Sequence, residues 1–112
     1  MKLSQKLTEQ SIQPFFEEWA EIEIQLSDLH SRRSKETSVF LLQGIELYQQ
    51  LIDHCQDPSN EWLIEPINAG ERLEFVQSNP QSYAAYRQLA ELFVEMKKAI
   101  ARVRIAVKRT GK

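Results

Sequence analysis

Residues 80–109 read PQSYAAYRQLAELFVEMKKAIARVRIAVKR. Within them Tyr86, Leu89, Phe93, Met96, Ile100, Val103 and Val107 recur at steps of 3, 4, 3, 4, 3 and 4. That is the period of an α-helix with one apolar face. Ala85, Leu92, Ala99 and Ala106, seven apart, widen the face. Asn79 is placed to cap this helix, with Pro80 as its first residue. At ~1.5 Å per residue the segment is about 45 Å long.

The same period extends to the rest of the chain. Phe15 or Phe16, Trp19, Ile22, Leu26 and Leu29 mark one helix. Pro14 is expected to end anything before it, which leaves a short leading helix over residues 3–10 with Leu3 and Leu7 on one side. Glu17, Glu18 and Glu21 suit the first turns, and Arg32 and Arg33 the last. The next helix begins near Ser34 or Lys35, with Leu41 or Leu42, Ile45, Tyr48, Ile52 and Cys55 in its stripe. Gly44 sits inside it at a cost of roughly 1 kcal/mol against alanine, which points to a close neighbouring helix. Asp57-Pro58-Ser59-Asn60 breaks the pattern. In the connection over 57–68, Trp62, Leu63 and Ile64 are expected to fold back as a lid. Asn68, with Glu71 three residues on, resembles a capping box for a short helix carrying Leu73, Phe75 and Val76. That helix ends by Asn79-Pro80.

The two earlier long helices reach about 27 to 30 Å on the same rule, so the last one overhangs them. Its overhang would carry Val103, Ile105 and Val107. Three covers suggest themselves: the leading segment, a second copy or a partner.

Only three glycines occur in 112 residues, and no Asn-Gly, Asp-Gly or Gly-Gly pair marks a hairpin. The expected fold is all-α: one domain over 1–112, an antiparallel bundle of three long helices plus one or two short ones, with a long C-terminal helix. An apolar content of 42% is ordinary for a globular chain and argues against disorder. The longest apolar run, Val39 to Leu42, is far too short to span a membrane. The start lacks the apolar stretch of a signal peptide. A lone Cys55 makes no internal disulfide, so a reducing cytoplasm is the expected compartment.

Charge is unevenly placed. Seven of the 14 basic residues lie after Met96 and no acid does, leaving seven bases against 16 acids in residues 1–96, a net of −9. Lys97, Lys98, Arg102, Arg104, Lys108 and Arg109, with Lys112, give the tail +7. Cations at a helix end offset the macrodipole, which is the plain account. The functional account makes the first six phosphate contacts for an anionic partner.

Several chemistries lack their residues. A di-iron site needs Glu-x-x-His pairs, and the residues three before His30 and His54 are Ser27 and Leu51. His54 and Cys55 are adjacent and too few for zinc. Clustered glycines for a phosphate loop are absent. Neither histidine follows an arginine at the spacing of the HEPN-type helical ribonucleases. Cys55 lies on an apolar stripe, where a thiol is inert. Glu17 and Glu21 share a face, and a solvated helix start accounts for them.

The second half resembles a known family. Glu65-Pro66-Ile67-Asn68-Ala69-Gly70-Glu71-Arg72-Leu73-Glu74-Phe75-Val76 leads to Asn79-Pro80-Gln81-Ser82-Tyr83 and then Arg87-Gln88-Leu89-Ala90-Glu91-Leu92-Phe93-Val94-Glu95. This is similar to the bacterial YpoC-like proteins, with a looser likeness in Phe16-x-x-Trp19 and Gly44-Ile45-Glu46-Leu47-Tyr48. The likeness covers most of 14–100 and stops short of the basic stretch. It implies a small helical cytoplasmic domain without assigned activity, encoded beside genes for DNA replication and repair. It singles out Asn68, Arg72, Tyr83 and Gln88. Their structural reading is a cap, a pair with an acid across the bundle, packing at the start of the last helix, and a bond to a loop carbonyl.

The expected function is a non-enzymatic protein–protein interaction module, including self-association. The alternative is an accessory nucleic-acid-binding protein that uses the basic C-terminal helix in replication or repair. No aromatic residue interleaves those cations, so such binding would be weakly sequence-selective. No cofactor, metal, membrane or small-molecule substrate is implied.

Overall fold

Five helices and no strand make up the described residues, 2–110, of the computed structural model: α1 (Leu3–Lys6), α2 (Glu9–Ser31), α3 (Thr37–His54), α4 (Ala69–Ser78) and α5 (Tyr83–Thr110). Lys112 lies outside the described residues. The fold is all-α, as the sequence pattern requires. Residue pairs fix the directions of the long helices. Phe15 meets His54 at 5.3 Å, and Gly44 lies beside Trp19, so α2 and α3 run antiparallel. His30 meets Tyr86 at 5.5 Å while Trp19 stacks on Phe93 at 4.4 Å, so α2 and α5 do the same.

The boundary expected at Pro14 is corrected. Pro14 lies inside α2, on its exposed side. Thr8 starts the helix instead, because its hydroxyl accepts from the Ser11 N–H at 3.2 Å. Proline therefore removes one helical hydrogen bond near the start of a 23-residue helix, which the remaining turns absorb. As a result α2 is about 34 Å long, longer than expected, and the leading helix shrinks to four residues.

At the other end of α2, Arg33 adopts a left-handed φ of 54°. The Ser34 N–H donates to Leu29 O at 2.9 Å and the Arg33 N–H to His30 O at 3.1 Å. This is the Schellman arrangement in which glycine usually sits.

The core centres on Trp19, whose ring is stacked on Phe93 with a 9° interplanar angle. Tyr48 meets Phe93 edge-on at 5.4 Å. Gly44 makes the approach possible, since a Cβ there would lie 2.8 Å from Trp19 Cζ3. In α3 the stripe runs through Leu41, Ile45, Tyr48 and Leu51, while Leu42 is exposed. The lid is partial. Ile64 is buried and Trp62 half-buried against the core, whereas Leu63 is 77% exposed.

Asp57 organises that connection. Its carboxylate accepts from the backbone N–H groups of Ser59, Glu61 and Trp62 at 2.9 to 3.0 Å and from the Ser59 hydroxyl. Burial works to raise its pKa. The hydrogen bonds from Ser59, Trp62 and Glu61 outweigh burial and hold the carboxyl below its usual range.

The start of α5 is corrected as well. Ser82, not Asn79, supplies the cap, accepting from the Ala85 N–H at 3.2 Å. Asn79 turns back, and its side-chain amide donates to Phe75 O at 2.8 Å at the end of α4. Helix α5 spans 28 residues, about 42 Å, and accounts for most of the 50 Å long axis. The apolar strip at its end is not bare. Helix α1 packs against α5, and Leu3 and Leu7 share one core with Val103 and Val107, which are 3% and 1% exposed. Only Ile105 of the expected strip faces outward, at 54% exposure.

Candidate functional site

Helix α4 buries only Ala69 and Val76 fully, so apolar packing alone holds it weakly. Arg72 adds a polar tie to α5. Its Nη1 donates to Ile67 O at 3.0 Å and to Glu95 Oε1 at 3.1 Å. Its Nη2 donates to Glu95 Oε2. With the Gln88 amide turned so that its oxygen faces the guanidinium, that oxygen accepts from Nη2 at 2.9 Å and from Nε. All five guanidinium donors are thereby used. The hydrogen bond to Glu95 raises the Arg72 pKa, and the same bond lowers that of Glu95. A guanidinium without a free donor has nothing left to offer an anion. Arg72, Gln88 and Glu95 make a clamp between α4 and α5.

The other two motif residues lie apart from the clamp. Asn68 precedes α4 with a left-handed φ of 55°, and its side chain makes no capping bond. The capping-box expectation is corrected: asparagine serves here as a residue that tolerates the left-handed region. Tyr83, the first residue of α5, is 59% exposed. Its ring meets His30 at 5.4 Å and Tyr86 at 5.7 Å. Gln88 bonds Arg72 rather than a loop carbonyl. Glu95 is the residue the motif left out, although its seven-residue step from Gln88 puts both on one side of α5.

The basic residues of α5 fall into two rows. Lys98, Arg102 and Arg109 are exposed at steps of four and seven. Lys97, Arg104 and Lys108, at steps of seven and four, make the second row. Between the rows run Val94, Ala101 and Ile105, again at seven and four, with Val94 and Ile105 about half exposed. None of the six cations makes an ion pair among the described residues, although Lys98 lies near enough to Glu95 to help lower its pKa. Lys97 lies over the Phe16 ring, 5.6 Å from its centroid.

Two open grooves flank α2. One, of about 540 Å³, lies between α2 and α3, with Ile22, Phe40 and Leu47 in it beside Glu18, Glu21 and Glu46. The other, about 370 Å³, lies between α2 and α5 and carries Lys97 and Arg104 on one side and Glu9 and Glu17 on the other.

Reactive groups are tied up or buried. Burial pushes the Cys55 thiol up to about 12. The His54 Nε2 donates to Lys6 O at 2.9 Å. His30 is stacked on Tyr86, and burial lowers its pKa. The Tyr48 hydroxyl is buried with no hydrogen-bond partner, and burial raises it to about 12. Among the described residues no three His, Cys, Asp or Glu side chains converge to hold a metal ion. Nor is any described helix long and apolar enough to cross a membrane.

No curated protein and no solved structure matches the chain. One family does: the sequence model of the YpoC-like proteins matches residues 9–108. The match runs from the first residue of α2 through the clamp and into the last turn of α5. It thus extends past Lys98 into the basic stretch, further than the motif likeness reached. It covers 100 of 112 residues, and the chain belongs to the YpoC-like family.

Proposed function

We propose that the chain is a non-enzymatic interaction module whose working surface is the outer face of α5 from Val94 to Arg109, and that its partner is a protein with an acidic rim. One observation carries this reading: an apolar ridge, with Val94 and Ile105 about half exposed and Ala101 partly buried between them, lies between two rows of cations that make no ion pair among the described residues. Protein interfaces are built this way, with an apolar centre and a polar rim. Self-association through the α5 strip of Val103 and Val107 loses its motive, because α1 covers that strip. The Arg72 clamp, with every donor used, is a fold-specifying element and not part of the surface.

The unpaired cations also keep nucleic acid as a second reading. A phosphate backbone has no use for the ridge, and the acidic body would repel it.

A photo-crosslinking residue at Ile105, in cells that make the chain natively, separates the two. The expected result is a discrete protein adduct at Ile105, none at equally exposed Leu63, and loss of the adduct in Lys98→Glu/Arg102→Glu/Arg109→Glu. In parallel, labelled DNA and RNA are titrated in a salt series. Tight binding at low salt that falls steeply with salt and vanishes in the same variant, with no protein adduct, overturns the protein reading. Charge reversal is preferable to truncation after Lys98, which would strip Val103 and Val107 from the core.

A further inference from the structure

We infer that the partner of the α5 ridge is a second copy of this chain, which receives the ridge in the groove between its α2 and α3. The inference rests on the reading of α5 as a docking face. The groove is the charge complement of the ridge. Its acids are Glu18, Glu21 and Glu46, and its apolar surface comes mainly from Phe40, since Ile22 and Leu47 beneath it are only 8% and 4% exposed. None of those carboxylates has an ion-pair partner among the described residues. Lengths agree: Phe40 to Gln50 on α3 covers about 15 Å and Val94 to Ile105 on α5 about 16 Å.

The alternatives fit less well. Ridge against ridge would set Lys98, Arg102 and Arg109 of two copies against each other. The α2/α5 groove presents Lys97 and Arg104 to any incoming cation. No α5 residue lines the α2/α3 groove, so one molecule can offer its groove and its ridge at the same time. Such a contact is heterologous: each copy gives and receives, and assembly grows past the dimer with concentration. Salt weakens it by screening the exposed charges.

The test is sedimentation velocity on the full chain across concentration and salt, with two variants. One lacks the ridge (Lys98→Gln/Arg102→Gln/Ile105→Asn). The other lacks the groove acids (Glu18→Gln/Glu21→Gln/Glu46→Gln). All six positions are exposed, and matching circular dichroism spectra confirm that the fold is kept. The expected result is concentration-dependent, salt-sensitive association of the native chain and monomers for each variant alone. An equimolar mixture of the two should stop at a one-to-one complex, because one live ridge meets one live groove. A native chain that stays monomeric at every concentration and at low salt overturns the inference, as does a groove variant that associates normally. A monomeric native chain that still gives a foreign protein adduct at Ile105 ends the second-copy inference and leaves the α5 docking face standing. Absence of any adduct ends both.

Discussion

Replacing Gly44 by alanine should destabilise this protein, although alanine is the better helix former. A Cβ at position 44 would sit 2.8 Å from Trp19 Cζ3 and 3.0 Å from Leu89 Cδ2. The indole cannot swing away. Trp19 is 6% exposed and stacked on Phe93, which is itself held edge-on by Tyr48 and Phe16. Alanine in a helix interior gains about 1 kcal/mol over glycine. Overpacking a close-packed core costs about 1 to 3 kcal/mol. The balance is a net loss of about 1 kcal/mol, read as a lower urea midpoint with unchanged slope by far-ultraviolet circular dichroism. The sign should reverse in a Trp19→Phe background, where the smaller ring no longer meets the new methyl and leaves room for Leu89 Cδ2 to give way. There Gly44→Ala should stabilise by up to about 1 kcal/mol, the full propensity gain. A higher midpoint for Gly44→Ala in the native background, or the same change in both backgrounds, refutes the reasoning.

Three further outcomes are expected. Arg72→Lys keeps the charge but supplies at most three donors in place of a planar fork of five, so stability should fall by about 1 to 3 kcal/mol in the same denaturation assay. Glu95, whose pKa is lowered by its bond to Arg72, contributes stability fully above the ordinary carboxylate range and loses it as pH falls through its lowered folded value. Glu95→Gln should flatten that acid limb in unfolding measured against pH, and an unchanged limb would show that the clamp does not hold the carboxylate. Tyr48→Phe removes a buried hydroxyl that no protein group satisfies, so thermal unfolding should show no loss and a gain of up to about 1 kcal/mol.

Periodicity made the long helices legible, because Trp19, Tyr48 and Phe93 each sit on a stripe that must be buried. Gly44 was legible for the same reason: its helix cost has a use only if another chain segment comes close. What was hidden depends on which of several competent residues is used. Thr8 and Pro14 can both open a helix, and the Ser11 N–H bond to Thr8 decides the matter. Asn79 and Ser82 can both cap, and Asn79 is already engaged with Phe75 O. Arg33 and Asn68 take left-handed conformations that glycine would have advertised. For the candidate site, Arg72 was legible as one half of an ion pair, but its partner was not, since α4 and α5 can be docked at more than one height. The two basic rows were visible as charge. The ridge between them became visible only when Val103 and Val107 proved to be covered and Ile105 did not.

The contact of α1 with α5 joins residues about 100 apart in the sequence. A ribosome delivers Leu3 and Leu7 about 100 residues before Val103 and Val107. At about 5 to 20 residues per second, the leading turn waits roughly 5 to 20 s for the surface it packs on. The α2–α3 hairpin can close during that interval, but the core cannot. The core therefore closes only once the C-terminal part of α5 has left the ribosome, and a chain that stops short of Val103 leaves the first turn with nowhere to dock.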